Sequence, residues 1–140
     1  MADQPEKNKA IVRRWNGYLN TGNLGLYDEL AAGNFASYGT TATATSLKEL
    51  KAVMVAWRAA FPDSRITVDD IIAEGDKVAI RYTFRGTHKG PVYDIAPTGK
   101  QVTIRGMSFY RLVGGKIVED WSAADGLGML QQIGAVRQFG

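Results

Sequence analysis

Residues Ser64–Thr87 read SRITVDDIIAEGDKVAIRYTFRGT. Ile66 and Val68 alternate with polar neighbours, and Val78, Ile80, Tyr82 and Phe84 do so again further on. A period of two is that of a strand with one face buried, since successive side chains point to opposite sides. Between the two runs stands Glu74-Gly75-Asp76, a turn signal. The stretch therefore predicts two long strands folded into an antiparallel hairpin.

The residues before this hairpin have a different period. Ser46-Leu47-Lys48-Glu49 is a capping box, in which the serine caps a backbone N–H and the glutamate reaches back to the serine's own. Behind it Leu50, Val53, Met54, Trp57 and Phe61 form a helical stripe, and Pro62-Asp63 stops the helix. Nearer the start, Ile11, Val12, Trp15, Tyr18 and Leu19 mark one amphipathic helix that ends at Asn20-Thr21-Gly22. A shorter segment, LGLYDELA, leads into a Gly/Thr-rich stretch over 33–45.

After the hairpin the pattern stays extended. A loop with Pro91, Pro97 and Thr98-Gly99 crosses to the strand QVTIRGMSFYRLV, and Gly114-Gly115 supplies a tight turn. Asp125 is placed to cap a last short helix, GLGMLQQIG. Helices first and long strands after them predict an α+β fold, read as one domain over 1–140. The capped helix is expected to lie across a strongly bent sheet, with its stripe buried there and a cavity left in the sheet's mouth.

Composition narrows the function. The chain is 45% hydrophobic and 22% charged, as in soluble globular proteins. Its net charge of +3 is spread among interleaved acids, not gathered into the basic stripe that nucleic-acid binding requires. No apolar run is long enough to span a membrane, and MADQPEKNKA lacks a secretory signal, so a cytoplasmic location is expected. One histidine and no cysteine make a transition-metal site implausible, and no glycine-rich phosphate or dinucleotide motif is present. No cofactor is expected.

The strand after Gly114-Gly115 reads KIVEDWSAAD. Strict alternation puts Val118, Asp120 and Ser122 on one face and Ile117, Glu119 and Trp121 on the other. Asp120 is then either a solvated strand residue or an acid held in a pocket.

Several stretches resemble the SnoaL-like polyketide cyclase family: FPDSRITVDDIIAEGDKVAIRYTFRGTHKG, IAPTG, GKIVEDW and the terminal LGMLQQIG. The resemblance runs from VRRW to QQIG. It implies the cone-shaped α+β barrel of nuclear transport factor two, a curved mixed or antiparallel sheet wrapped around N-terminal helices. It also implies pairing into a homodimer through the outer sheet face. Known members close rings in aromatic polyketides by intramolecular aldol condensation without cofactor or metal, while others hydrate, isomerise or hydroxylate.

Four positions depart from the aldol-cyclase pattern. The family's acid/base aspartate falls on Ser122, its pocket histidine on Ser108, its first-helix tyrosine on Leu19 and its capped-helix asparagine on Met54. Many relatives read EHW where this chain reads EDW, so an acid stands at position 120. If that face lines the cavity, apolar walls from Val118, Met54 and Leu19 would raise the Asp120 pKa and suit it to acid/base work. The alternative is an acid solvated at the strand's open end.

Around Asp120, Ser108, Ser122 and Tyr110 are candidates to place a substrate oxygen. Tyr38 and Trp57 are candidate walls for a planar ligand, Trp57 equally a core residue. His88 is a secondary candidate, either tying its loop or joining a serine in a triad. Asp125 is either a helix cap or a second acid. The leading expectation is a cofactor-independent enzyme of cyclase, isomerase or hydratase type acting on a hydrophobic carbonyl or cyclic compound. A non-catalytic binding protein for a hydrophobic ligand is the alternative, favoured by the four lost positions, and a cone used only for protein association is a third. A cavity holding a buried, perturbed carboxylate separates the first from the second.

Overall fold

The computed structural model describes residues 3–39 and 43–138. In chain order the elements are α1 (Gln4–Trp15), α2 (Tyr18–Thr21), α3 (Gly25–Leu30), β1 (Ala31–Tyr38), β2 (Ala44–Thr45), α4 (Leu47–Ala60), β3 (Arg65–Glu74), β4 (Lys77–Thr87), β5 (Gln101–Val113), β6 (Lys116–Ala124) and α5 (Gly126–Gln132). The strands form one curved, unclosed six-stranded sheet in the order β2-β1-β6-β5-β4-β3. Long antiparallel ladders join β3 to β6, while β1 runs parallel to β6.

Both hairpins form where the turn residues place them. Gly114 and Gly115 have φ of +57° and +80°, a pair of left-handed conformations that a two-residue turn needs and that glycine adopts without strain. In α4 the capping box is complete: Ser46 Oγ accepts from the Glu49 N–H, and the Glu49 carboxylate accepts from the Ser46 N–H.

Three local features depart from the reading of the sequence. The stripe through Leu19 is not one helix, because α1 stops at Trp15 and a break at Asn16-Gly17 precedes α2. Asn16 turns its side-chain amide back onto the Val12 carbonyl at 2.9 Å, the competition with backbone bonding that makes asparagine a helix terminator. Strand β1 runs into the Gly/Thr-rich stretch and pairs with β6, far along the chain.

The third departure concerns α4. Its stripe does not close onto the sheet. Leu50, Met54 and Trp57 are half-buried and Val53 is 58% exposed, because a pocket lies between this helix and the sheet. Phe61, at the helix end, is the stripe residue that reaches the core, where it meets Trp57, Phe84 and the His88 ring.

The core itself lies deeper. Val12, Trp15, Tyr27 and Leu30 from the first helices pack against Val78, Ile80, Tyr110, Leu112 and Ile117 on the inner sheet face. Burying each such side chain contributes about 1.5–3 kcal/mol. Among the described residues no helix is long and apolar enough to cross a membrane.

Candidate functional site

The inner face of the β5–β6 ladder changes character along its length. At one end Leu112 pairs with Ile117, and both are core residues. Next comes the rung Tyr110–Asp120, then Ser108–Ser122, then Gly106–Ala124. The side chains shrink in that direction, and the space they leave is a pocket of about 420 Å³. Its far wall is the α4 stripe, Leu50, Val53, Met54 and Trp57. That volume is within the range of small-molecule sites, roughly 300–1,000 Å³.

A β-bulge sets the register. The pairing shifts between Arg111–Glu119 and Leu112–Ile117, leaving Val118 without a rung. One extra residue inverts the alternation, so Ile117 and Asp120 both face inward although strict alternation would separate them. Val118 is buried but lies outside both the pocket wall and the core cluster. It is therefore not the cavity wall that the alternation predicts. Glu119 pairs with Arg111 on the opposite face, through Oε1 and the guanidinium.

Asp120 is 4% exposed and lines the pocket. Its Oδ1 accepts from the Ser37 hydroxyl at 2.5 Å. Burial disfavours the carboxylate and pushes its pKa up to about 6, against the opposing hydrogen bonds from Ser37 and the Tyr38 backbone. It is the one formally charged group among the described pocket residues; Lys, Arg and His are absent from that wall.

Tyr110 is fully buried, and its hydroxyl accepts from Asn16 Nδ2 at 3.1 Å. Burial also raises the pKa of Tyr110, Tyr27 and Tyr82, first among the causes in each, so all three phenols stay neutral donors. Ser108 and Ser122 hydroxyls lie 2.9 Å apart across their rung. Leu19, Met54 and Trp57 supply apolar wall.

Tyr38 borders the same pocket, but its ring stacks on Trp121 at 5.6 Å and 12°. Tyr38 and Trp121 are register partners, one residue on from the inward pair Ser37 and Asp120, and so belong to the outer face. Tyr38 thus stands at the border of the pocket, as the sequence reading placed it, with its ring packed on Trp121.

His88 and Asp125 stand apart from the pocket wall. The His88 ring is wholly buried, with Nδ1 bonded to Thr98 Oγ1 at 3.0 Å and to the Thr98 backbone N–H at 3.3 Å. It ties the loop before β5, and Thr98 rather than a serine of the pocket is its partner. Asp125 caps α5, with Oδ1 accepting from the Gly128 N–H at 2.8 Å. Among the described residues no cluster of three or more His, Cys, Asp or Glu could hold a metal ion.

Sequence reasoning missed Ser37, Asn16, Tyr27 and Tyr82, all on the pocket wall. The inward alternation of Phe35 and Ser37 within the small residues of β1 was the available signal for the first. For Tyr82, the strand pattern itself placed the residue on the inner face.

Comparison with known proteins agrees with this architecture. AclR, a proposed hydroxylase from Streptomyces galilaeus, superposes with a TM-score of 0.90 at 26% identity, over 98% of this chain and 91% of its own. IdmH, a proposed polyketide cyclase from Streptomyces antibioticus, gives 0.81 at 29% identity, over 91% and 98%. A Catenulispora acidiphila protein with a ketosteroid isomerase-like fold, solved with trimethylamine, gives 0.74 at 18% identity over 89% and 92%, a likeness of fold alone. A search of curated proteins gives no match. The SnoaL-like polyketide cyclase family matches residues 9–133, nearly the whole of the described fold, and the chain belongs to that family.

Proposed function

We propose that this protein is a cofactor-independent acid/base enzyme for an apolar carbonyl compound, with Asp120 moving the proton. The observation that carries the reading is an almost wholly buried carboxylate, held by Ser37, in a pocket whose α4 wall is apolar and whose lining holds no balancing cation among the described residues. A carboxyl with its pKa raised toward neutrality is largely the base at neutral pH and yet holds a proton more readily than an exposed carboxylate, which suits both halves of a proton relay.

The step balances simply. Asp120 takes a proton from the carbon beside a carbonyl, and the electron pair of that C–H bond moves onto the carbonyl oxygen as an enolate. The neutral phenols and serine hydroxyls donate to that oxygen. The carboxylic acid then returns the proton to another carbon, which is isomerisation. Alternatively the enolate carbon attacks a second carbonyl of the same molecule, and the acid protonates the new alkoxide, which is ring closure. The steps use only side chains of this chain. The loss of the family's aspartate at 122 is offset here by an acid one pleat along, about 7 Å away.

Proton abstraction can be tested without the natural substrate. In deuterium oxide, 2-tetralone should exchange its acidic CH₂ protons faster with the protein than with buffer, read by proton NMR. Asp120→Asn should abolish the excess rate. Binding of the ketone without accelerated exchange would favour a carrier for apolar ligands, and equal rates for the two proteins would overturn the role of Asp120.

A further inference from the structure

Tyr82 and Gly106 are register partners on β4 and β5, and their relationship is unusual. A Cβ built on Gly106 would lie 2.4 Å from both Cζ and the hydroxyl of Tyr82. A side chain there would have to push the phenol aside. The phenol of Tyr82 lies across β5 in the space that the missing side chain leaves, and so reaches the pocket from a neighbouring strand. Its hydroxyl has no hydrogen-bond partner among the described residues, while that of Tyr110 is held by Asn16.

The position of that hydroxyl matters. The rungs of the inner face run Tyr110–Asp120, Ser108–Ser122, Gly106–Ala124. Tyr82 therefore stands beyond the serine pair, on the side away from Asp120. One wall of the pocket is a polar track from the acid, past two hydroxyls bonded to each other, to a free phenol. The facing wall, α4, is apolar. Rungs on one face are about 7 Å apart, so the track can hold two oxygens of one ligand at once.

We infer that Tyr82, seated over Gly106 beside the Ser108–Ser122 pair, is a second oxygen-binding subsite that fixes which carbon of the ligand reaches Asp120. The ligand class is a neutral, flat molecule oxygenated along one edge and apolar along the other. The subsite deepens the reading of the pocket as an acid/base site and rests on it. It works by positioning: an oxygen held at Tyr82 sets the ligand's register along the track, since covering this half-buried donor without a partner disfavours any other register.

The probes are 2-naphthol, with one hydroxyl, and 2,6-dihydroxynaphthalene, with a second at the opposite end. Dissociation constants are read by fluorescence for the native protein and for Tyr82→Phe and Gly106→Ala. The native protein should bind the diol at least five-fold more tightly than the naphthol. Tyr82→Phe, which keeps the ring, should bring that ratio near one while changing the naphthol constant less than two-fold. Gly106→Ala should do the same by displacing the phenol. A native protein with no preference for the diol, or binding neither compound, overturns the subsite, as does an unchanged ratio in Tyr82→Phe. Failure of the acid/base reading shows separately, as deuterium exchange that survives Asp120→Asn.

Discussion

Ser37 and Asp120 are partners in the parallel ladder between β1 and β6, and the serine hydroxyl donates to Asp120 Oδ1 at 2.5 Å. The serine and the acid lie 83 residues apart in sequence. Two effects of opposite sign meet in this contact. Burial disfavours the charged carboxylate, and a hydrogen bond to it favours the charge; burial is the larger, and the pKa settles near 6.

Ser37→Ala should therefore move the Asp120 midpoint upward, by about one unit, because a hydrogen bond to a charged group is worth roughly 1.5–3 kcal/mol before compensation. The pH dependence of 2-tetralone exchange should shift the same way. A midpoint that stays put or falls would show that the serine does not stabilise the carboxylate.

Stability should depend on the same proton. Folding raises the Asp120 pKa from 3.8 to about 6, so the folded chain holds the proton more tightly than the unfolded one. The associated stability is fully present below the lower value and is lost as pH rises through the upper one, by about 3 kcal/mol in the limit. Asp120→Asn cannot ionise, so its melting temperature should fall less than that of the native protein between pH 4 and about pH 7. Glu119→Gln disturbs a half-buried pair with Arg111 on the other face and should cost no more than about 1 kcal/mol with no change in exchange rate. Parallel melting curves for Asp120→Asn and the native protein at every pH would contradict the linkage.

Val53 tests where α4 sits. Its side chain is 58% exposed at the pocket's edge, so Val53→Asp should change stability by only about 0.5 kcal/mol. The same change at Val78, which is fully buried, places an unpaired charge in the core and should cost several kcal/mol. Val53→Asp should still weaken naphthol binding, since it puts a charge on the apolar wall. Equal, large losses of stability in thermal melts of the two variants would mean that α4 closes onto the sheet.

His88→Ala should destabilise the protein by roughly 1–3 kcal/mol, because it removes the ring that holds Thr98 and packs on Phe61. Exchange activity per folded molecule should be retained. A variant that folds with unaltered stability and loses exchange would give the histidine a catalytic part.

The fold was legible where local pattern decides it. Alternation marked β3, β4 and β5, the capping box marked α4, and paired glycines marked the last hairpin. Two things escaped. Strand β1 is rich in small residues, and its pairing with β6, distant in sequence, leaves only the brief alternation of Phe35 and Ser37 as a local sign. The bulge at Val118 inverted the facing of Ile117, since alternation counted from the turn holds only until a residue is added. Asp120 was legible as an acid with an apolar setting because the count from the other side of the bulge is unaffected. Its partner Ser37 was not, and the half-buried α4 stripe looked like core because a helix facing a pocket and a helix facing a sheet carry the same apolar pattern.

The most direct measurement is the titration of the Asp120 side-chain carboxyl by carbon-13 NMR, assigned by its absence in Asp120→Asn. A midpoint near 6, raised further in Ser37→Ala, is the expected result for a carboxylate enclosed in this pocket. A midpoint near the ordinary 3.8, unmoved by Ser37→Ala, would mean that water reaches the group and that Asp120 is not the acid/base of this protein.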